Sequence, residues 1–164
     1  MKPGATTREL SDAHALIVRK RLRESAGPSD ALEGIREIVS NLLGSEEMAL
    51  FQVERGSSAL PLMWSFGINP QEHQWLNGSS ESVRKVLLNG RTHIELAGNS
   101  APFTVLVPIR LHGQTVAILA ILRLLPQKTG FAKVDMEVLQ VLADEAGSAV
   151  FGANPDPSVF EGIK

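Results

Sequence analysis

The stretch 105-VLVPIRLHGQTVAILAILRL-124 decides the fold, because it places two apolar runs on either side of a short polar break. The runs extend from Phe103 to Leu111 and from Gln114 to Leu124, and His112-Gly113 separates them. Two strands joined by so short a connection form an antiparallel hairpin. Since both strands are apolar along nearly their whole length, we expect both of their faces to be covered. The hairpin is therefore predicted to lie at the centre of a sheet.

The segments around the hairpin predict further strands and a set of helices. Strands are predicted over 48–54, 59–66 and 91–96. Apolar spacing, caps and breakers predict helices over 7–25, 30–43, 70–76, 79–90 and 133–151. The segment 97–102 is predicted to be a loop. Strands that pair antiparallel, with helices grouped on one side of the sheet, make an α+β layered domain.

Local signals refine some of these boundaries. Pro61 favours an edge strand or a bulge for the segment 59–66, because proline cannot donate to a sheet ladder. Either Ser29 or Asp30 is expected to cap the helix over 30–43, and Gly44 is expected to end it. Ser79 or Ser80 is expected to cap the helix over 79–90.

Composition narrows the classes of function. The chain has 164 residues, of which 43% are hydrophobic, and this length suits one domain with a sizeable core. A net charge of −2 argues against nucleic acid or an anionic membrane as a partner. The absence of cysteine excludes disulfides, thiolate zinc sites and cysteine nucleophiles, and it fits a reducing cytoplasm. Since no apolar run reaches the ~20 residues of a membrane span and residues 1–10 lack the apolar core of a signal peptide, we expect a cytoplasmic protein.

Two segments resemble the GAF family of sensory and regulatory domains. The first, 107-VPIRLHGQTVAILAI-121, is similar to the central hairpin of that family, with Ala117 where glycine is frequent. The second, 127-QKTGFAKVDMEVLQVLA-143, is similar to its polar connector, Phe-x-x-x-Asp motif and final helix. The resemblance covers roughly residues 30–152 and implies a GAF-like sheet preceded by a signalling helix.

The connector also shows where the chain departs from particular members of that family. Lys128, Phe131 and Asp135 match the signature of cyclic-nucleotide-binding members, whereas Gln127 and Met136 replace its Asn and Glu. This weakens a cyclic-nucleotide function. A structural role is favoured instead, in which Lys128 and Asp135 form a salt bridge and Phe131 fills the core. Bilin attachment and free methionine sulfoxide reduction use a cysteine in the family, and this chain has none.

The resemblance implies a ligand site between the sheet and the variable region 67–102. Aromatic side chains and an arginine there could hold a planar or anionic ligand. The candidate ligand-binding residues are Trp64, His73, Trp75, Arg84, His93 and Phe103. The alternative is that the aromatic residues, together with Phe66, only fill the core. Because no acidic residue at ligand spacing joins His73 and His93, we expect no metal and no cofactor.

The sequence as a whole predicts a helical extension over 1–28, a GAF-like domain over 29–152 and a flexible tail over 153–164. The first hypothesis is a non-enzymatic regulatory domain that binds an unidentified small molecule and forms a homodimer through its N- and C-terminal helices. The alternative is a ligand-free scaffold that holds a partner signalling protein, and an enzyme is the weakest hypothesis. The basic run 18-VRKRLR-23 is interpreted as a solvated helix face rather than a nucleic-acid or membrane contact.

Overall fold

The computed structural model describes residues 7–54, 56, 59–69, 71, 81–95, 103–128 and 130–152. Its helices are α1 (Thr7–Arg23), α2 (Pro28–Ile38), α3 (Glu81–Asn89) and α4 (Lys133–Phe151), and a π-helical segment (Val39–Leu43) continues α2. Its strands are β1 (Met48–Gln52), β2 (Leu62–Phe66), β3 (His93–Ile94), β4 (Val105–Leu111) and β5 (Gln114–Ile121). The predicted α+β order is confirmed across these elements. The helix over 70–76 (except Gln71), the caps Ser79 and Ser80, the loop 97–102 and the tail 153–164 lie outside the described residues.

The five strands form one antiparallel sheet in the order β2-β1-β5-β4-β3. The hairpin of β4 and β5 occupies the middle, as its apolar sequence predicts. Its turn holds His112 at φ 53° and Gly113 at φ 79°. Positive φ at both central residues is the geometry that matches the twist of two paired strands.

Alternate residues of the central strands face two different cores. Leu119 belongs to the larger core, which α1, α2 and α4 cover, and Ile118 belongs to a smaller core that includes Val83 and Val86 of α3. The three long helices thus lie on one side of the sheet, as expected, and the short α3 packs on the other. We call these sides the long-helix face and the α3 face.

Helix α4 lies unusually close to β4 because residue 147 has no side chain. A Cβ built on Gly147 would stand 2.2 Å from the carbonyl oxygen of Arg110 and 2.9 Å from its carbonyl carbon. Only glycine permits this approach of helix and strand backbones.

The start of α2 differs from the prediction, whereas the end of its helical run agrees with it. Gly27 is the N-cap and makes no side-chain hydrogen bond, so the predicted cap by Ser29 or Asp30 is wrong. The Asp30 carboxylate instead accepts a hydrogen bond from the Ala26 amide (2.9 Å), because the chain turns back over it before the helix begins. Gly44 ends the helical run in the left-handed conformation, as predicted.

The arginines of the basic run 18–23 make ion pairs with the domain itself. Arg21 donates from Nε to Glu37 Oε2 (2.9 Å) and from Nη2 to Asp30 Oδ1 (3.0 Å), which joins α1 to α2. Arg23 donates from Nη2 to Glu145 Oε1 (2.8 Å), which joins α1 to α4. The basic run is therefore only partly the solvated face that the sequence predicts.

The connector before α4 has the structural role that the sequence favours. Lys128 Nζ donates to Asp135 Oδ2 over 2.7 Å, and the same oxygen accepts the Ala132 amide at 2.7 Å. Asp135 is buried, and the half-buried Phe131 packs against the larger core. A single carboxylate thus fixes the connector and caps the last helix.

Candidate functional site

A β-bulge determines which way the aromatic residues of β2 face. Leu50 pairs with Trp64, but Phe51 pairs with Leu62, so one extra residue, Met63, stands between them. Beyond the bulge, Trp64 lies on the same face as Leu50, which belongs to the larger core. Trp64 therefore lies on the long-helix face, because a one-residue shift reverses the face of every side chain that follows.

His93 and Phe103 are the two predicted site residues that the structure brings together. Both lie on the α3 face, and their rings meet edge to face with centroids 6.4 Å apart. His93 Nε2 lies 3.1 Å from Glu95 Oε2, and both side chains are half-buried. Phe103 is 7% exposed and belongs to the smaller core. An apolar surface with a few polar groups at its border is the usual composition of a small-molecule site.

The other predicted residues do not join this pair. Arg84 lies on the exposed side of α3, whereas Val83 and Val86 of the same helix face the sheet. Phe66, like Trp64, faces the long helices, and the Arg36 guanidinium carbon lies 5.2 Å from its ring centroid. Trp64 was predicted to share one site with His93 and Phe103, but it lies on the opposite face of the sheet, as Phe66 does. His73 and Trp75 lie outside the described residues.

Trp64 lines a separate groove, which we call the Trp64 groove. It is an open depression of about 650 Å³ between β2, the α1–α2 connection and the first turn of α2. Its lining consists of Ala26, Gly27, Pro28, Ser29, Asp30, Leu32, Glu33 and Trp64. Part of the lining is apolar and consists of the Trp64 indole, Leu32 and Pro28. The polar part consists of the carboxylates of Asp30 and Glu33 and the hydroxyl of Ser29.

Both carboxylates of the groove accept hydrogen bonds from neighbouring groups. The Ala26 amide, followed by the Arg21 guanidinium, holds the pKa of Asp30 below its ordinary value. The hydrogen bonds from Arg36 likewise lower the pKa of Glu33. Both groups are therefore ionised near neutral pH.

Sequence reasoning missed Glu95 and the Trp64 groove. The pattern His-x-Glu in a predicted strand could have indicated Glu95, because residues two apart lie on the same face of a strand. The Trp64 groove depends on the position of the bulge in β2, and although Pro61 favours an edge strand or a bulge, nothing in the sequence determines that position. In the part of the chain that the structure describes, no group of three or more His, Asp or Glu side chains could hold a metal ion. No helix among the same residues is long and apolar enough to cross a membrane.

Comparisons with known proteins identify the fold. The family model for the GAF domain matches residues 27–150. The GAF domain of a phosphoenolpyruvate-protein phosphotransferase from Acinetobacter is 14% identical with a TM-score of 0.65, over 86% of this chain and 92% of that one. The corresponding domain from Coxiella burnetii is 15% identical with a TM-score of 0.65, over 88% and 95%.

An enzyme has a similar fold as well. The type II free methionine-R-sulfoxide reductase from Thermoplasma acidophilum is 14% identical with a TM-score of 0.53, over 86% of this chain and 94% of that one. No curated protein matches the sequence significantly. At these identities the structural similarities define the fold and leave the ligand open.

Proposed function

Since the chain belongs to the GAF family of sensory and regulatory domains, we propose that it is a non-enzymatic sensor that binds a small molecule on the α3 face and signals through a helical homodimer. The observation that carries the proposal is the half-buried His93–Glu95 pair, which lies beside Phe103 at the border of the smaller core. Partly buried polar groups beside an apolar surface can orient a ligand while the surface supplies the contact area.

Helix α1 supports the dimer. Val18 and Leu22 are buried against the domain, whereas Leu16 is 63% exposed and Ile17 is 55% exposed. A helix that buries one apolar stripe and exposes two large aliphatic residues elsewhere has a surface suited to a second copy or to a partner protein. A ligand that favours one arrangement of the dimer would shift the population toward that arrangement.

We propose binding rather than catalysis because the chain lacks the type of residue that performs catalysis in the enzymes of the family. The free methionine sulfoxide reductases of the family use a cysteine, and this chain has none. We expect the protein to act in the cytoplasm and to pass its response to a partner signalling protein.

The second candidate function is a ligand-free scaffold that uses the same helices. The burial of Phe103, Val83 and Val86 favours it, because these side chains already fill the space between α3 and the sheet. A core that its own residues fill completely would leave no room for a ligand.

Native mass spectrometry of the protein as purified from cells separates the two functions. The sensor predicts a dimer with added mass, and His93→Leu should lose that mass while Gln114→Ala, an exposed change in β5, retains it. A dimer without added mass would favour the scaffold. Unchanged added mass in His93→Leu would remove the proposed site.

The dimer has its own test. Ile17→Glu places a charge on the exposed face of α1 and should give a monomer, whereas Leu88→Glu changes an exposed leucine of α3 (83% exposed) and should not. A monomeric wild-type protein would contradict the use of α1 as a dimer element.

A further inference from the structure

We propose that the Trp64 groove is a second binding site, and that its ligand is a small organic cation of the alkylammonium class. The groove lies on the long-helix face, so the sheet separates it from His93 and Phe103. Its volume of about 650 Å³ falls within the range of small-molecule sites. The proposal does not depend on the α3-face site.

The charge of the lining favours a cation. Asp30 and Glu33 contribute two carboxylates to the lining. Arg21 and Arg36 pair with them, but Arg21 also pairs with Glu37, so three carboxylates stand against two guanidinium groups. The side chains of Asp30 and Glu33 remain 40% and 50% exposed, so a ligand in the groove can reach them. An anionic ligand would meet this excess of negative charge.

The carboxylates keep acceptor capacity after their internal bonds are counted. Arg36 donates two hydrogen bonds to Glu33 Oε1, one from Nε (2.8 Å) and one from Nη2. A carboxylate has two oxygens with about four acceptor positions. Arg36 therefore leaves Glu33 Oε2 free to face the positive charge of a ligand.

Phe66, the neighbouring aromatic residue of β2, already contacts a cationic side chain of the protein. The Arg36 guanidinium carbon lies 5.2 Å from the centroid of the Phe66 ring, which is a cation–π distance. Trp64 stands two residues before Phe66 on the same face of β2, and no cation of the described chain lies over its indole. Tryptophan is the strongest aromatic partner for a cation. The groove thus offers a ligand the contact that Phe66 already makes with Arg36.

The position of the groove gives its ligand a means of regulation. Ala26, Gly27 and Pro28 belong to the connection between α1 and α2, and Trp64 belongs to the sheet. A ligand that touches both would hold the connection against the sheet. Since Asp30 also accepts hydrogen bonds from Arg21 of α1, occupancy of the groove would stabilise the docked position of that helix.

Fluorescence of Trp64 tests the site directly. Trp64 and Trp75 are the two tryptophans of the chain, so Trp75→Phe leaves Trp64 as the single indole emitter. This variant is titrated with choline and, separately, with 3,3-dimethylbutan-1-ol, which has the shape of choline without its charge. We expect a saturable change of Trp64 emission with choline and none at equal concentration of the alcohol. An equal response to both, or no saturable response to choline, overturns the proposal.

A second measurement tests whether the carboxylate of Glu33 contacts the cation. In the same background, Glu33→Gln should weaken choline binding about fivefold, as expected for the loss of one partly exposed charge contact. Glu81→Gln changes an exposed acid on α3 and serves as the matched control, with an unchanged dissociation constant. If Glu33→Gln binds choline as tightly as the control, the assignment of the carboxylate is wrong. The comparison of choline with the alcohol in Trp75→Phe remains decisive even if Glu33→Gln or Glu81→Gln folds poorly.

Discussion

Gly147 offers the sharpest test of how the long helices pack on the sheet. A Cβ at this position would stand 2.2 Å from the carbonyl oxygen of Arg110, and the second atom in its way is the carbonyl carbon of the same residue. Both obstacles are backbone atoms of the inner strand β4, so no side chain can turn aside. The substitution Gly147→Ala therefore forces α4 and β4 apart.

The size of the effect follows from that distance. A carbon–oxygen contact is normally about 3.3 Å or longer, so α4 must retreat by about 1 Å. Overpacking of a core costs about 1–3 kcal/mol, and the upper end applies because the backbone must move. Alanine in a helix interior recovers about 1 kcal/mol relative to glycine. The free energy of unfolding should therefore fall by about 2 kcal/mol.

Urea unfolding followed by circular dichroism measures this loss. With a slope of about 2 kcal/mol per molar urea, the midpoint should fall by about 1 M. Ser148→Ala is the matched control, because Ser148 is exposed on the same helix and alanine there only improves helix propensity. If Gly147→Ala raised the midpoint as Ser148→Ala should, the close approach of α4 to β4 would be refuted.

Three further predictions concern the connector, the start of α2 and the central turn. Asp135→Ala should lower the free energy of unfolding by about 2–3 kcal/mol, since it removes both the Lys128 pair and the Ala132 amide contact, and Lys133→Ala should leave it nearly unchanged. The Ala26 amide and Arg21 lower the pKa of Asp30 in the folded protein. The ionised carboxylate therefore stabilises the fold above the pKa of the unfolded chain, near 4, and this stabilisation is lost as the pH falls through the pKa of the folded state. Urea midpoints between pH 5 and pH 3 should therefore fall less in Asp30→Asn than in the wild type, and parallel curves would contradict this. Gly113→Ala should cost about 1 kcal/mol from its φ of +79° alone, whereas Gly130→Ala, also in open space, should cost little by the same assay.

Much of the fold could be predicted from the sequence because its signals are local. The apolar runs on either side of His112-Gly113 predicted a central hairpin, and the turn has the positive φ values that such a connection needs. The left-handed end at Gly44 follows from the properties of one residue. The cap of α2 was missed because the Asp30 carboxylate binds the Ala26 amide and Arg21, and Arg21 lies on another helix.

The candidate site was harder to predict because it depends on register. Strict alternation would put Leu62, Trp64 and Phe66 on one face of β2. The bulge at Met63 separates them: Leu62 packs at the smaller core, and Trp64 packs at the larger one. Pro61 had indicated an edge strand or a bulge, and β2 is both, but a proline does not determine where the extra residue falls.

The same bulge changes what the two faces of the sheet can bind. Without it, the indole of Trp64 would face the α3 side of the sheet, as Leu62 does, and that side also carries the pair of His93 with Glu95. With it, the indole meets the acidic first turn of α2, and the α3 face keeps only one large aromatic ring among its described site residues. One inserted residue thus divides a single expected aromatic pocket into two surfaces of different charge. A ligand selected by the α3 face should therefore not compete with choline at Trp64, and simultaneous binding of both is the chemical consequence of that division.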